Sequence, residues 1–145
     1  MPTETKTKVN SKAPYFYAVG RRKRAIARVR LYTNPSSDKQ EIVVNDKPIQ
    51  AYFRLPHADQ LYLKPLQITK TMDRFKITVK VEGSGPQGQI DAVVHGMARA
   101  LVKVDEEFHS PLKHAGLLTR DPRKKQRRMI GTGGKARRQK QSPKR

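Results

Sequence analysis

Phe75-Lys-Ile-Thr-Val-Lys-Val-Glu82, Gly83-Ser-Gly-Pro-Gln-Gly88 and Gln89-Ile-Asp-Ala-Val-Val-His-Gly-Met-Ala-Arg-Ala-Leu-Val-Lys-Val104 form one continuous stretch in which the apolar period changes. Phe75, Ile77, Val79 and Val81 alternate with Lys76, Thr78, Lys80 and Glu82, the pattern of a strand with one buried and one wet face. After the glycine-rich turn, Ile90, Val93, Val94, Met97 and Leu101 fall on one stripe of a helix running from about Gln89 to Val104. Strand, tight turn and amphipathic helix predict a helix laid across a sheet.

Upstream, Ala25, Ala27, Val29 and Leu31 alternate with Ile26, Arg28, Arg30 and Tyr32, which predicts a long strand with a cationic face. Asn34-Pro-Ser-Ser-Asp38 has turn chemistry and Glu41 to Val44 is rich in β-branched residues, so a hairpin is expected there, with a second turn at Asn45-Asp46. Pro48, Pro56 and Pro65 punctuate residues 48–67, leaving room for a short helix from Ala58 to Leu63. Downstream, Ser110-Pro111 offers an N-cap and a first-turn proline, and Gly116 a stop, for a second short helix. The expected fold class is α+β, a mixed sheet with helices on one face, spanning residues 14–119. Residues 1–13 are polar and read as a disordered arm; residues 120–145, nearly without apolar side chains, read as a long extended basic tail.

Charge separates these regions. The net charge of +20 is distributed as +2 over residues 1–19, +6 over 20–30, +1 over 31–119 and +11 over 120–145. A near-neutral middle carries two cationic devices, and such an excess calls for an anionic partner. The absence of cysteine removes thiolate catalysis and cysteine-ligated metals, no apolar run is long enough to span a membrane, and the N-terminus has no secretory pattern. A cytoplasmic protein is expected, with no cofactor, no metal, no membrane partner and no small-molecule substrate.

The tail cations Arg120, Arg123, Lys124, Lys125, Arg127, Arg128, Lys135, Arg137 and Arg138 suit phosphate neutralisation with counterion release, and its span would reach RNA far from the domain. Arg21, Arg22, Lys23 and Arg24, beside Gly20, form the second expected contact, with Arg28 further along the same strand; Gly20 permits a bulge or a close backbone approach. The G-x-G-x-x-G of Gly83–Gly88 formally matches a dinucleotide fingerprint, but Pro86 lacks an N–H and too little chain follows for a doubly wound sheet, so a structural turn is preferred. Asp91 and His95, one helical turn apart, suit an intrahelical pair without a third catalytic group. Tyr15, Phe16 and Tyr17 are balanced between base stacking and packing. The rivals to an RNA-binding protein are a histone-like DNA-compacting protein and a small nucleotide-binding enzyme.

Taken in order, Tyr17-Ala-Val-Gly-Arg-Arg-Lys-Arg-Ala-Ile-Ala-Arg-Val-Arg, Ile42-Val-Val-Asn, Tyr52-Phe, Pro65-Leu, Val79-Lys-Val-Glu-Gly, Gln87-Gly-Gln, His95-Gly-Met-Ala-Arg-Ala-Leu, Leu117-Leu-Thr-Arg-Asp and Lys135-Ala-Arg-Arg resemble the family of ribosomal protein nine of the small subunit, in its bacterial or plastid form. The resemblance runs from about Tyr15 to Arg145. It implies a structural, non-enzymatic role in translation and a domain like the second half of small-subunit ribosomal protein five, with a left-handed strand-helix-strand crossover. It further implies a place in the head of the small subunit beside other head proteins, contact with small-subunit ribosomal RNA, and a tail directed toward the peptidyl-site tRNA. The tRNA contact would fall on Lys144 and Arg145. The family commonly closes with an aromatic residue, Ser, Lys and Arg, whereas here Ser142-Pro143 precede Lys144-Arg145.

Overall fold

The computed structural model describes residues 15–33, 41–72, 74–132 and 134. The expected N-terminal arm, the turn at residues 34–38 and the last eleven residues of the tail lie outside them. In chain order the elements are β1 (Tyr15–Arg22), β2 (Ala25–Tyr32), β3 (Ile42–Val44), β4 (Lys47–Pro48), α1 (Ile49–Tyr52), α2 (Ala58–Ile68), β5 (Lys76–Glu82), α3 (Pro86–Val104), a 3-10 turn (Glu106–Phe108) and α4 (His109–His114).

The five strands form one mixed sheet in the order β1-β2-β5-β3-β4. β1 pairs antiparallel with β2, and β2 with β5, while β3 runs parallel to β5 and antiparallel to β4. The alternation read at Ala25–Leu31 and Ile77–Val81 is the alternation of burial: these residues face α3, and their neighbours face away. Ile90, Val93, Met97 and Leu101 of α3 close that side, and α2 packs on α3 through a core that includes Tyr62 and Leu66. Each fully buried large aliphatic side chain contributes about 1.5–3 kcal/mol, so this single layer of helix on sheet carries most of the stabilisation. The chain is thus a mixed α+β fold.

Several expectations need correction. No hairpin joins β2 to β3: β2 is already flanked by β1 and β5, and its long pairing with β5, from Ile26↔Glu82 to Tyr32↔Lys76, offers more ladder than the three residues of β3. The hairpin lies one strand earlier, where β1 turns into β2 through Lys23-Arg24 inside the basic run. Lys23 takes a positive φ of 51° there without the glycine or asparagine that would have announced a turn. The turn expected at Asn45-Asp46 does form and joins β3 to β4, with both residues at positive φ.

α2 runs through Pro65 to Ile68 rather than ending before it, because burial of Tyr62, Pro65 and Leu66 outweighs the one helical hydrogen bond that proline forgoes. Ser110 lies inside α4 and is not its N-cap; Asp105 caps the preceding 3-10 turn by accepting from the Glu107 N–H. Gly116, at φ 73°, follows α4 as expected of a C-terminal stop.

Candidate nucleic-acid interface

The position of the site follows from how closely α3 lies on β1. A Cβ on Gly20 would stand 1.9 Å from the Ala92 carbonyl oxygen and 2.3 Å from the Gly96 nitrogen, and one on Gly96 would meet Val29 Cγ2 at 2.7 Å. Gly20 therefore does serve a close backbone approach, and what approaches is α3. That contact brings three α3 side chains, spaced four residues apart, to the outer backbone of β1. The Arg21 N–H donates to His95 Nδ1 at 3.2 Å, Arg99 donates to the Val19 carbonyl, and Lys103 donates to the Tyr17 carbonyl at 2.7 Å.

With Nδ1 accepting, His95 Nε2 carries the proton and donates to the Leu118 carbonyl at 3.3 Å. Burial lowers the His95 pKa, opposed by the Leu118 bond and assisted by the nearby charges of Arg99 and Arg120. The expected Asp91–His95 pair does not form, because each has a nearer partner on another element. Asp91 accepts from Arg22 Nε at 3.4 Å and from Gln87 at 3.2 Å.

Arg22 turns inward. Its side chain is 16% exposed and joins α3 to the root of the tail, bonding Asp91 and also Asp121 at 2.9 Å. Arg123 folds back on the same carboxylate at 2.7 Å, and its backbone N–H donates to it as well. These Arg123 contacts, assisted by Arg22, hold the Asp121 carboxyl well below the usual range. The root of the tail is thus fastened at Leu118 and Asp121, beyond which residues 122–129 run exposed without helix or strand.

The fastening sends those residues past the β1–β2 turn. Gly83, at φ 81°, and Ser84, at φ 57°, turn β5 sharply into α3, and a Cβ on Gly83 would stand 2.4 Å from the Arg24 carbonyl oxygen, so this turn tucks beneath the hairpin tip. Gly83 of the G-x-G-x-x-G segment therefore serves chain packing, whereas a Cβ on Gly85 would meet nothing within 4 Å, and among the described residues the sheet has a single parallel pair. Between hairpin tip, turn and tail lies an open cleft of 460 Å³ lined by Lys23, Arg24, Ser84, Lys124, Lys125, Gln126 and Arg127. Among the described residues, five cations and no carboxylate line it. A neighbouring hollow of 350 Å³ contains Arg21, Arg22 and Arg123, but also Asp91 and Asp121, so much of its charge is internally paired and it is a joint rather than a binding site.

Of the other expected contacts, Arg28 is exposed on the far face of the sheet and pairs with Glu82 at 3.2 Å, while Arg120 and Arg128 are exposed outside the cleft. Lys135, Arg137, Arg138, Lys144 and Arg145 lie outside the described residues. Ser84 was not anticipated as a lining residue; the only hint in the sequence is its place in a turn that had to be tight. Among the described residues no group of three or more His, Cys, Asp or Glu is arranged to hold a metal ion.

A layered α+β domain whose concentrated chemistry is a cleft of unopposed cations defines a protein that binds a polyanion. The profile of the family described as ribosomal protein S9/S16 matches residues 20–145. The small ribosomal subunit protein uS9 of Maridesulfovibrio salexigens is 48% identical over 118 residues, which cover 81% of this chain and 88% of that protein. The chain belongs to the ribosomal protein S9 family of the small subunit. It is a structural ribosomal protein and not an enzyme.

Proposed function

We propose that the chain binds small-subunit ribosomal RNA in the head of the subunit through the cleft between the β1–β2 turn and the root of its tail. The carrying observation is the convergence of Lys23 and Arg24 with Lys124, Lys125 and Arg127, about a hundred residues later, on one cleft that no acid among the described residues lines. Cations so placed neutralise phosphates that their own carboxylates do not shield. Arg21, Arg120, Arg123 and Arg128 extend the contact along the surface; Arg22 we assign to the joint that aims it.

On this reading residues 14–119 are the RNA-binding domain and residues 120–145 a tail. Lys135, Arg137 and Arg138 continue the ribosomal RNA contact, and Lys144 and Arg145 reach the peptidyl-site tRNA, as the family resemblance implies. The parallel pair of β3 and β5, linked through α1 and α2, is consistent with kinship to the second half of small-subunit ribosomal protein five, whose left-handed crossover the family resemblance implies. The setting is the cytoplasmic ribosome, or a plastid ribosome of the same bacterial type.

The test is sedimentation of tagged chains through a high-salt gradient. The unaltered chain is expected in the small subunit alone, and Lys124→Ala/Lys125→Ala/Arg127→Ala is expected to be depleted from it. Deletion of Ser142 to Arg145 should leave incorporation intact and weaken tRNA retention. Release of the unaltered chain to the top of the gradient would sink the reading and return DNA compaction to first place.

A further inference from the structure

All of this leaves one face of the sheet without a role. α3 covers one side; the other carries Tyr15, Tyr17, Val19 and Arg21 from β1, then Tyr32, Arg30, Arg28 and Ile26 from β2, then Lys76, Thr78, Lys80 and Glu82 from β5. The pairing sets these side chains in rows. Tyr15 stands opposite Tyr32, which stands opposite Lys76; Tyr17 opposite Arg30 and then Thr78; Val19 opposite Arg28 and then Lys80. With Arg21 given to the cleft contact and Asp46 of the β3–β4 turn at the border, four cations on these strands share the face with one acid of their own, Glu82. That acid meets Arg28 in a pair whose members are 55% and 68% exposed, and a pair so wet is worth little and is readily exchanged.

We propose that this face is a second RNA-binding surface, which stacks unpaired bases on Tyr15 and Tyr17 and holds the adjoining phosphates with Arg28, Arg30 and Lys80. Both tyrosines are 40% exposed, a large open ring area for a domain with its own filled core. Two residues apart on one strand, their backbone positions are roughly 7 Å apart on the same face, which leaves each ring room for a base of its own. The Arg30 guanidinium lies 5.4 Å from the centre of the Tyr15 ring, and Tyr32 braces that ring at 5.6 Å. The platform is therefore pre-arranged, and stacking on it gains affinity without ordering new side chains.

Beside it Arg28, Arg30, Tyr32, Val43, Thr78 and Lys80 line a hollow of 400 Å³ in which Asp46 is the one acid. Charge selects a polyanion for this face, and open rings select one with unstacked bases, which duplex DNA does not offer. The inference rests on the ribosomal RNA reading but uses other residues, so the two can fail separately.

The test uses the full chain with small-subunit ribosomal RNA carrying 4-thiouridine, irradiated and mapped by mass spectrometry of the crosslinked peptides. Crosslinks are expected on the segment holding Tyr15 and Tyr17 as well as on residues 123–127. Tyr15→Leu/Tyr17→Leu should weaken RNA binding at least about fivefold per lost ring, and Tyr15→Phe/Tyr17→Phe should restore it, which separates stacking from folding. Crosslinks confined to the turn and tail, with unchanged affinity of the leucine variant, would overturn the second surface while the cleft stands. In assembled subunits, crosslinks from the tyrosines to a neighbouring protein would give the face to that protein instead. No binding of the RNA by the unaltered chain would defeat both.

Discussion

Two side chains decide where the tail leaves the domain. Arg22 bonds one carboxylate on α3 and another at the tail root, and truncating it strips Asp91 of its cation and leaves Asp121 with Arg123 alone, so the two elements lose the bridge between them. We expect Arg22→Ala to lower the unfolding midpoint in denaturant and to loosen residues 118–123 in amide exchange. His95 sets the pH response. Its folded pKa lies below the ordinary value of about 6.5, so the unfolded chain binds the proton first. The histidine therefore contributes stability that is complete above that ordinary value and is lost as pH falls toward its folded pKa. Stability should fall as pH drops below that ordinary value, and His95→Gln should flatten that part of the profile. Asp121, also held low, follows the same sign, but its contribution persists until strong acid.

At the scale of elements, the contact of α3 with β1 is the most demanding packing in the fold. Gly20→Ala forces a methyl against the Ala92 carbonyl and the Gly96 backbone, neither of which can rotate away. We expect about 3 kcal/mol of destabilisation or more by chemical denaturation, with RNA binding lost in proportion because the hairpin tip moves with it. A second joint is Asn45, whose side-chain amide takes the place of a strand, accepting from the Val81 N–H at 3.0 Å and donating to the Val81 carbonyl at 2.8 Å. Asn45→Ala should cost about 2 kcal/mol by leaving both groups unpaired.

These joints mark where reading the chain from residue types stops. β2, β5 and α3 were legible because their periods are local, and each has one buried face. The β1–β2 turn was hidden because Lys23 adopts a left-handed conformation with no turn residue to signal it. The β3–β5 pair was hidden because a three-residue strand chooses its neighbour by what the longer strands leave free. Likewise the two basic segments could be named but not joined: only Gly20, Gly83 and Arg22, acting through the fold, bring Lys23 and Arg24 to Lys124–Arg127.

For the whole molecule, charge is divided from structure. A near-neutral stretch from residue 31 to 119 supplies most of the elements, and the excess sits at the hairpin tip and in the tail. Binding to ribosomal RNA should therefore fall steeply with salt, and Lys124→Ala/Lys125→Ala/Arg127→Ala should reduce the slope of log affinity against log salt by about 2, at roughly 0.7 per phosphate. Its unfolding midpoint should hardly change, since those side chains are exposed and form no ion pair among the described residues. Arg22→Ala should do the reverse, shifting the midpoint while keeping most of the slope.

The three side chains that α3 lays along β1 have a further consequence for the free protein. A strand at the margin of a sheet offers its backbone to any other strand, and molecules that wait at high concentration for a partner are exposed to that hazard. Here one margin is already occupied by His95, Arg99 and Lys103, and the other ends in the two residues of β4, the second of them proline. Copies made faster than the nucleic acid they serve thus meet one another with little of either described margin free to zip together.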